Sequence, residues 1–245
     1  MDRAAITKIL RQDVLTELRP LGFKNSQRLT AWRYRPRMVD LVQINFIHKY
    51  SVRRNWLDCS YGFAWGIYLT DVPEASPPRT DSKCRPRPRL DQAHLARSAR
   101  HEGEWDGTIF AETFAITEDV SSTVQCVSET KNILLTQARE WFQCYSSVAA
   151  VILALKRTDS EQRAIDPYTY GPGSAKSYHR RCFLAHLLIS ENRLDEAAEQ
   201  IERAYSTVAD WPISSMESKN RMVDELAAIE RLLDVARGRK LGSRA

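Results

Sequence analysis

The chain has 245 residues, 43% of them hydrophobic and 27% charged, with a formal net charge of +5. Those values fit a soluble globular protein with one good core or two modest ones, and no run approaches the length of a membrane span. The N-terminus lacks the apolar core of a signal peptide, and the five cysteines are scattered and odd in number, so a reducing, cytoplasmic setting is expected and a disulfide framework is not.

In chain order, Ile6, Leu10, Val14 and Leu18 recur every fourth residue with Ile9 beside them, the apolar stripe of an amphipathic helix. Pro20 cannot continue it, and Gly22 supplies a residue that closes it in the left-handed conformation. After Phe23 and a polar turn over residues 25–28, Trp32 and Tyr34 alternate with Arg33 and Arg35. Val42, Ile44 and Phe46 then alternate with Gln43 and Asn45. A period of two across a connection of four or five residues after Tyr34 predicts an antiparallel hairpin.

Residues 57–69 form the clearest strand. Leu57, Cys59, Tyr61, Phe63, Trp65, Ile67 and Leu69 share one face, and Asp58, Ser60, Gly62, Ala64 and Gly66 share the other. The large groups are expected in a core. The small ones let a helix or a ligand come close, and a helix is the expected neighbour.

Residues 71–104 concentrate proline and charge and read as an insertion, either a loop or a loop with a short helix over residues 90–100. Residues 108–116 read as a strand with Phe110, Phe114 and Ile116 in step and Glu112 as an edge charge. From Ser121 the period turns helical: Ile133, Leu134, Trp141, Tyr145, Val148 and Ile152 form a stripe with a break over residues 144–147. A loop over residues 166–173 leads to a helical hairpin, residues 175–190 and 194–208, turning at Glu191, Asn192 and Arg193. A last helix is expected from about residue 215 to 237.

Two sets of these residues resemble known families. Leu21-Gly22-Phe23, the basic turn, the aromatic strand and Val42-Gln43-Ile44-Asn45-Phe46 form the first part of one match. Cys84, Arg87, Arg89 and Leu90, in a Cys-x-x-Arg-x-Arg-Leu run, and Trp105 form the second. Together they resemble the uncharacterised bacterial family called domain of unknown function 4304. The resemblance covers roughly the first half of the chain, carries an expectation about fold, and implies no activity. The run AHLLISENRLDEAAEQIERAY resembles one helix-turn-helix of a tetratricopeptide repeat, but no second copy follows at a fixed period, so a single helical hairpin is expected.

Few residues are spaced for chemistry. His179, Cys182 and His186 share one helix stripe, yet no fourth zinc ligand accompanies them, and the reading without metal is a buried small Cys182 flanked by histidines. Cys84 lies between Lys83 and Arg85, a positive setting of the kind that activates thiols, with His94 and His101 the nearest bases in sequence and nothing that fixes them together. Phosphate loops, nucleophile elbows and paired metal histidines are absent from the sequence. Catalysis, cofactor and metal are therefore not expected.

The basic charge is clustered: Arg28, Arg33, Arg35 and Arg37, then Arg53 and Arg54, then Arg79 to Arg100. Such a field attracts an acidic protein or nucleic acid, or is simply a solvated face. Trp32 and Trp56 beside arginine read as anchors for a partner or platforms for bases. The candidate binding residues are Trp32, Arg33, Arg35, Trp56, Arg85, Arg87 and Arg89. The expected fold is α+β: an N-terminal helix on a roughly four-stranded antiparallel sheet over residues 1–120, with the insertion at 71–104. A helical region over residues 121–245 packs on it as one unit. The expected function is a non-catalytic module that neutralises or regulates an acidic protein, such as a bacterial toxin met by its immunity protein. The alternatives are nucleic-acid binding through the arginine clusters, and an enzyme with a site near Cys84.

Overall fold

A computed structural model describes residues 2–47, 56–73, 77–99, 113–160, 169–171, 177–210 and 216–242. The fold is α+β, and the chain divides into two units: Met1–Leu69 with Ala75–Cys144, and Thr70–Glu74 with Tyr145–Ala245. The stretch from Val120 to Cys144 thus belongs with the sheet, and the helical part of the second unit starts at the break over residues 144–147.

The first unit begins with α1 (Arg3–Ile9), whose first turn is capped by the Asp2 carboxylate accepting from the Ala5 amide at 2.8 Å. The helix continues as a widened π turn (Leu10–Val14) and a 3₁₀ turn (Leu15–Leu18). The widening has a reason in the sequence. Apolar residues spaced by four drift about 40° per step around an ordinary α-helix, and one wide turn keeps Ile6, Leu10, Val14 and Leu18 facing the core, all at most 1% exposed. Gly22 then ends the element at φ +92°.

The sheet is antiparallel in the order β1 (Asn25–Gln27), β2 (Thr30–Arg35), β3 (Met38–Phe46), β4 (Tyr61–Leu69). The β2–β3 loop is only Pro36 and Arg37, shorter than the expected connection, with Arg37 at φ +61°. Next come a small hairpin, β5 (Arg79–Thr80) with β6 (Pro86–Arg87), and a 3₁₀ turn over Leu90–Gln92. β7 (Leu95–Ser98) then joins the outer side of β4, and β8 (Thr113–Phe114) pairs with the first residues of β4. The helix expected over residues 90–100 is therefore that turn plus a strand, its register fixed by Ile67 opposite Leu95. Of the strand expected over 108–116, residues 108–112 lie outside the described residues, as do Trp105, His101 and Glu112.

One face of the sheet carries Val42, Ile44, Tyr61, Phe63, Trp65 and Ile67, all buried. Helix α2 (Val120–Ile133), a π turn (Leu134–Ala138) and α3 (Arg139–Cys144) complete this side of the unit. Tyr61 and Thr130 share a hydrogen bond of 2.8 Å, and the Phe23 and Phe142 rings lie 5.7 Å apart. The opposite face carries Trp32, Val39, Leu41 and Tyr68, and among the described residues no α-helix packs on that cluster. The proline- and arginine-rich segment lies on it as a strap, with Leu90 and Ala93 packed against that cluster. The small side of β4 is where the strap comes nearest: a Cβ on Gly66 would meet the Ala93 methyl at 2.7 Å and the Leu95 carbonyl oxygen at 2.8 Å.

The second unit is helical: α4 (Val148–Ser160), α5 (Tyr178–Ser190), α6 (Leu194–Ala209) and α7 (Met216–Gly242). The α5–α6 hairpin turns where the sequence places it, with Asn192 at φ +57°. α6 buries Leu194, Ala197, Ile201, Ala204 and Val208, the 3–4 spacing of an amphipathic helix. No helix among the described residues is long and apolar enough to cross a membrane.

Replacing Gly66 with alanine forces the strap off β4 and is expected to lower unfolding stability by roughly 1–3 kcal/mol in urea melts, with partial recovery on adding Ala93→Gly. An unchanged midpoint in Gly66→Ala is incompatible with this packing.

Candidate binding surface

The alternation along β2 sends neighbouring residues to opposite faces, and the sequence-predicted binding residues separate accordingly. Arg33 and Arg35 point to the helix-covered face, where both bond one carboxylate, Asp40, which has no exposure. Arg33 Nε reaches Asp40 at 2.6 Å, its Nη1 donates to the Leu21 carbonyl at 2.9 Å, and its guanidinium lies 5.1 Å from the Phe23 and Phe142 ring centres. Arg33 and Arg35 therefore build the sheet and do not stand free for a partner. Reversing their charges would set carboxylates against a buried carboxylate.

Trp32 faces the strap and is 5% exposed. Its Nε1–H donates to the Pro88 carbonyl at 2.9 Å, and the Arg87 guanidinium lies 5.6 Å from its ring centre. Arg87 also donates to Gln27 at 3.1 Å. Arg85 lies 4.4 Å from the Tyr34 ring centre and forms two bonds to Asp81, at 2.7 and 2.9 Å. Burial, followed by the nearby Asp81 carboxylate, raises the Tyr34 phenol above its ordinary value. Asp81 organises the β5–β6 turn, since its Oδ1 accepts from the Lys83 and Arg85 amides. The Arg85 side chain, with those amides, holds the Asp81 carboxyl at about 2, below its usual 3.8. Arg89 is exposed beside Asp91 at 2.7 Å, and Trp56 is half-buried. Trp32 of β2 and Tyr34 beside it thus meet Arg87 and Arg85, which form the inner side of the strap.

Several exposed cations stay uncommitted among the described residues, Arg19, Arg79 and Lys83 among them, and four others form a basic edge. Lys8 and Arg11 of the first helical element are exposed, and Arg11 Nε donates to the Arg28 carbonyl at 2.9 Å. Arg28 itself stands exposed in the β1–β2 turn at φ +55°, and Lys24 precedes β1. None of these four has a carboxylate partner among the described residues. Arg28 belongs to the clusters visible in the sequence; the contribution of Lys8 and Arg11 could have been found from their polar side of the N-terminal stripe.

The chemical candidates come apart. Cys84 is exposed at φ +57°, but His94 Nδ1 already accepts the Leu69 amide at 2.9 Å while its ring packs on Tyr68. Its Nδ1 lone pair is therefore occupied and not a base for a thiol. On α5, His179 is exposed while Cys182 is buried, its thiol pushed up to about 12 by burial. Burial also holds His186 below its ordinary 6.5. Among the described residues no group of three or more histidine, cysteine or carboxylate side chains could hold a metal ion.

Asp40→Asn removes the charge that Arg33 and Arg35 share and is expected to cost roughly 3 kcal/mol or more in equilibrium unfolding, as for other broken buried ion pairs. Asp81 gives a pH prediction. A carboxyl held low stabilises its loop above about 3.8, and that contribution is lost as pH falls through about 2. Amide protection of Lys83 and Arg85 should hold at pH 4 and collapse toward pH 2, and Asp81→Ala should lack it throughout. Compared with models of protein families, with curated proteins and with solved structures, the chain matches none.

Proposed function

We propose that the chain is a non-catalytic protein-binding module that regulates or neutralises an acidic protein partner, in the manner of an immunity protein that meets a toxin. The observation that supports this reading is the basic edge formed where Arg11 meets Arg28, with Lys8 on the same helical element and Lys24 at the start of β1. Among the described residues, Arg33, Arg35, Arg85, Arg87, Arg89 and Arg97 of the sequence clusters are bonded or stacked within the unit, and this bears on the choice between partners. Four available cations would displace few counterions, so nucleic acid bound there would show a salt slope of only about −4 and weak affinity at physiological ionic strength. An acidic protein surface, by contrast, adds shape and apolar contacts to the same few charges.

The test is capture from the native host at low and high salt, identification of the partner, and reconstitution with that partner purified. The triple variant Lys8→Glu, Arg11→Glu, Arg28→Glu should weaken the reconstituted complex by at least about tenfold while leaving the melting temperature near that of the parent. Undiminished binding by a folded triple variant would reject this edge as the interface. Recovery of nucleic acid alone would reject the protein-binding reading.

A further inference from the structure

A second surface lies in the helical unit, on α7. Leu226, Ile229 and Leu233 of this helix are at most 4% exposed and form its inward stripe. Beside that stripe, Glu225, Ala228, Leu232, Val235 and Arg239 recur at intervals of three and four, a heptad spacing that aligns them on one side. This second stripe faces outward: Leu232 is 47% and Val235 52% exposed. Between it and the C-terminal end of α5 runs a groove of about 630 Å³, walled by Ile189, Ser190 and Asn192 on one side and Leu232, Val235 and Arg239 on the other. The last helix of a helical stack ordinarily turns a polar face outward; most exposed residues of α7 are charged, and Leu232 and Val235 interrupt them.

We propose that α7 pairs with α7 of a second copy of this chain, antiparallel, about a two-fold axis passing between residues 233 and 234. This goes beyond the reading of the basic edge and does not depend on it. In that register Leu232 meets Val235 of the second copy, and the symmetry makes the contact twice. Ala228 faces Arg239 of the second copy, and its small side chain leaves room for the arginine stem. The guanidinium then comes within one turn of Asp224 and Glu225 of that copy's neighbour. Charge complementarity selects both the occupant and the direction. The acids lie toward one end of the stripe and Arg239 at the other, so a parallel pair would stack arginine on arginine and carboxylate on carboxylate. An antiparallel pair places opposite charges together at both ends. Asp224 and Arg239 have no ion-pair partner among the described residues, and Glu225 accepts from the Tyr178 hydroxyl at 2.7 Å with its remaining lone pairs open.

Light scattering and sedimentation of the full chain at about 100 μM decide the matter, a range in which micromolar association is visible. The expected mass is twice the 28.1 kDa of one chain. Leu232→Asp with Val235→Asp should give a monomer with unchanged helical circular dichroism, because both side chains are exposed. Arg239→Glu should weaken the dimer about tenfold, two exposed pairs being lost at once, and adding Asp224→Arg should restore most of it. A monomeric parent at that concentration, a dimer indifferent to Leu232→Asp with Val235→Asp, or a charge swap without rescue each overturns the proposal.

Discussion

The sheet unit depends on a carboxylate that water does not reach. Asp40 lies on the apolar face of β3 with no exposure, a position where an unpaired charge would cost several kcal/mol. Arg33, directly opposite it in the β2–β3 register, and Arg35 supply the compensation. Arg33 in turn carries the constraint outward. It donates to the loop carbonyl of Leu21 and lies against Phe23 and Phe142, so a single charged group ties β3, β2, the end of the first helical element and α3 together. Gly22 belongs to the same arrangement: its backbone turns at φ +92°, and a Cβ there would lie 3.1 Å from the Arg33 stem. The loop residue is glycine for two independent reasons.

The other face solves a different problem with the same residue types. An aromatic sheet surface formed by Trp32, Tyr34 and Tyr68 needs a cover, and a strap rich in proline and arginine has few large apolar groups to offer. It covers the aromatics with guanidinium planes and backbone carbonyls instead. Arg85 lies over Tyr34, Arg87 over Trp32, and the Pro88 carbonyl takes the indole N–H. Proline suits this role because it leaves one donor fewer to satisfy in a segment that is not paired along its length. Further along, Leu90 N donates to Gln43 at 3.0 Å and Ala93 closes on Gly66, so the strap is fixed by polar contacts before it enters the sheet as β7.

Much of the fold is legible in the sequence because burial imposes a period. The alternation along residues 32–46 and 61–69 reports a sheet with two covered faces, and the loss of the apolar stripe over residues 144–147 coincides with the boundary between the units. Elements without such a period are hidden. β7 is four residues, Leu-Ala-Arg-Ser, placed by ladder bonds to β4, and β1 is Asn-Ser-Gln with no apolar residue at all. The Pro36–Arg37 turn hides too, because arginine at φ +61° replaces the glycine or asparagine that marks a two-residue hairpin. That omission has a consequence for the site. Without the turn the register is unknown, and without the register nothing places Arg33 opposite Asp40. The available signal was Asp40 itself, a carboxylate two residues before Val42 and in step with Val42 and Ile44.

The same reasoning explains why a cluster of arginines in a sequence is a poor guide to a binding face. Composition gives Arg28, Arg33, Arg35, Arg85 and Arg87 equal weight, but their environments divide them. Three are bound to carboxylates, one is stacked on a buried indole, and one projects from a turn into solvent. Moving the bound ones changes stability; only the projecting one can change affinity without changing the fold. Of these five arginines only Arg28 stays free of the fold, and the exposed charge beside it comes from Lys8 and Arg11 of a helix the clusters do not include. A smaller field of this kind can orient and accelerate an encounter, but holding a partner also requires apolar contact. On the sheet unit the exposed cations Lys8, Arg11 and Arg28 bring no such contact of their own, whereas on α7 apolar Ala228, Leu232 and Val235 lie between charged Glu225 and Arg239 along one stripe.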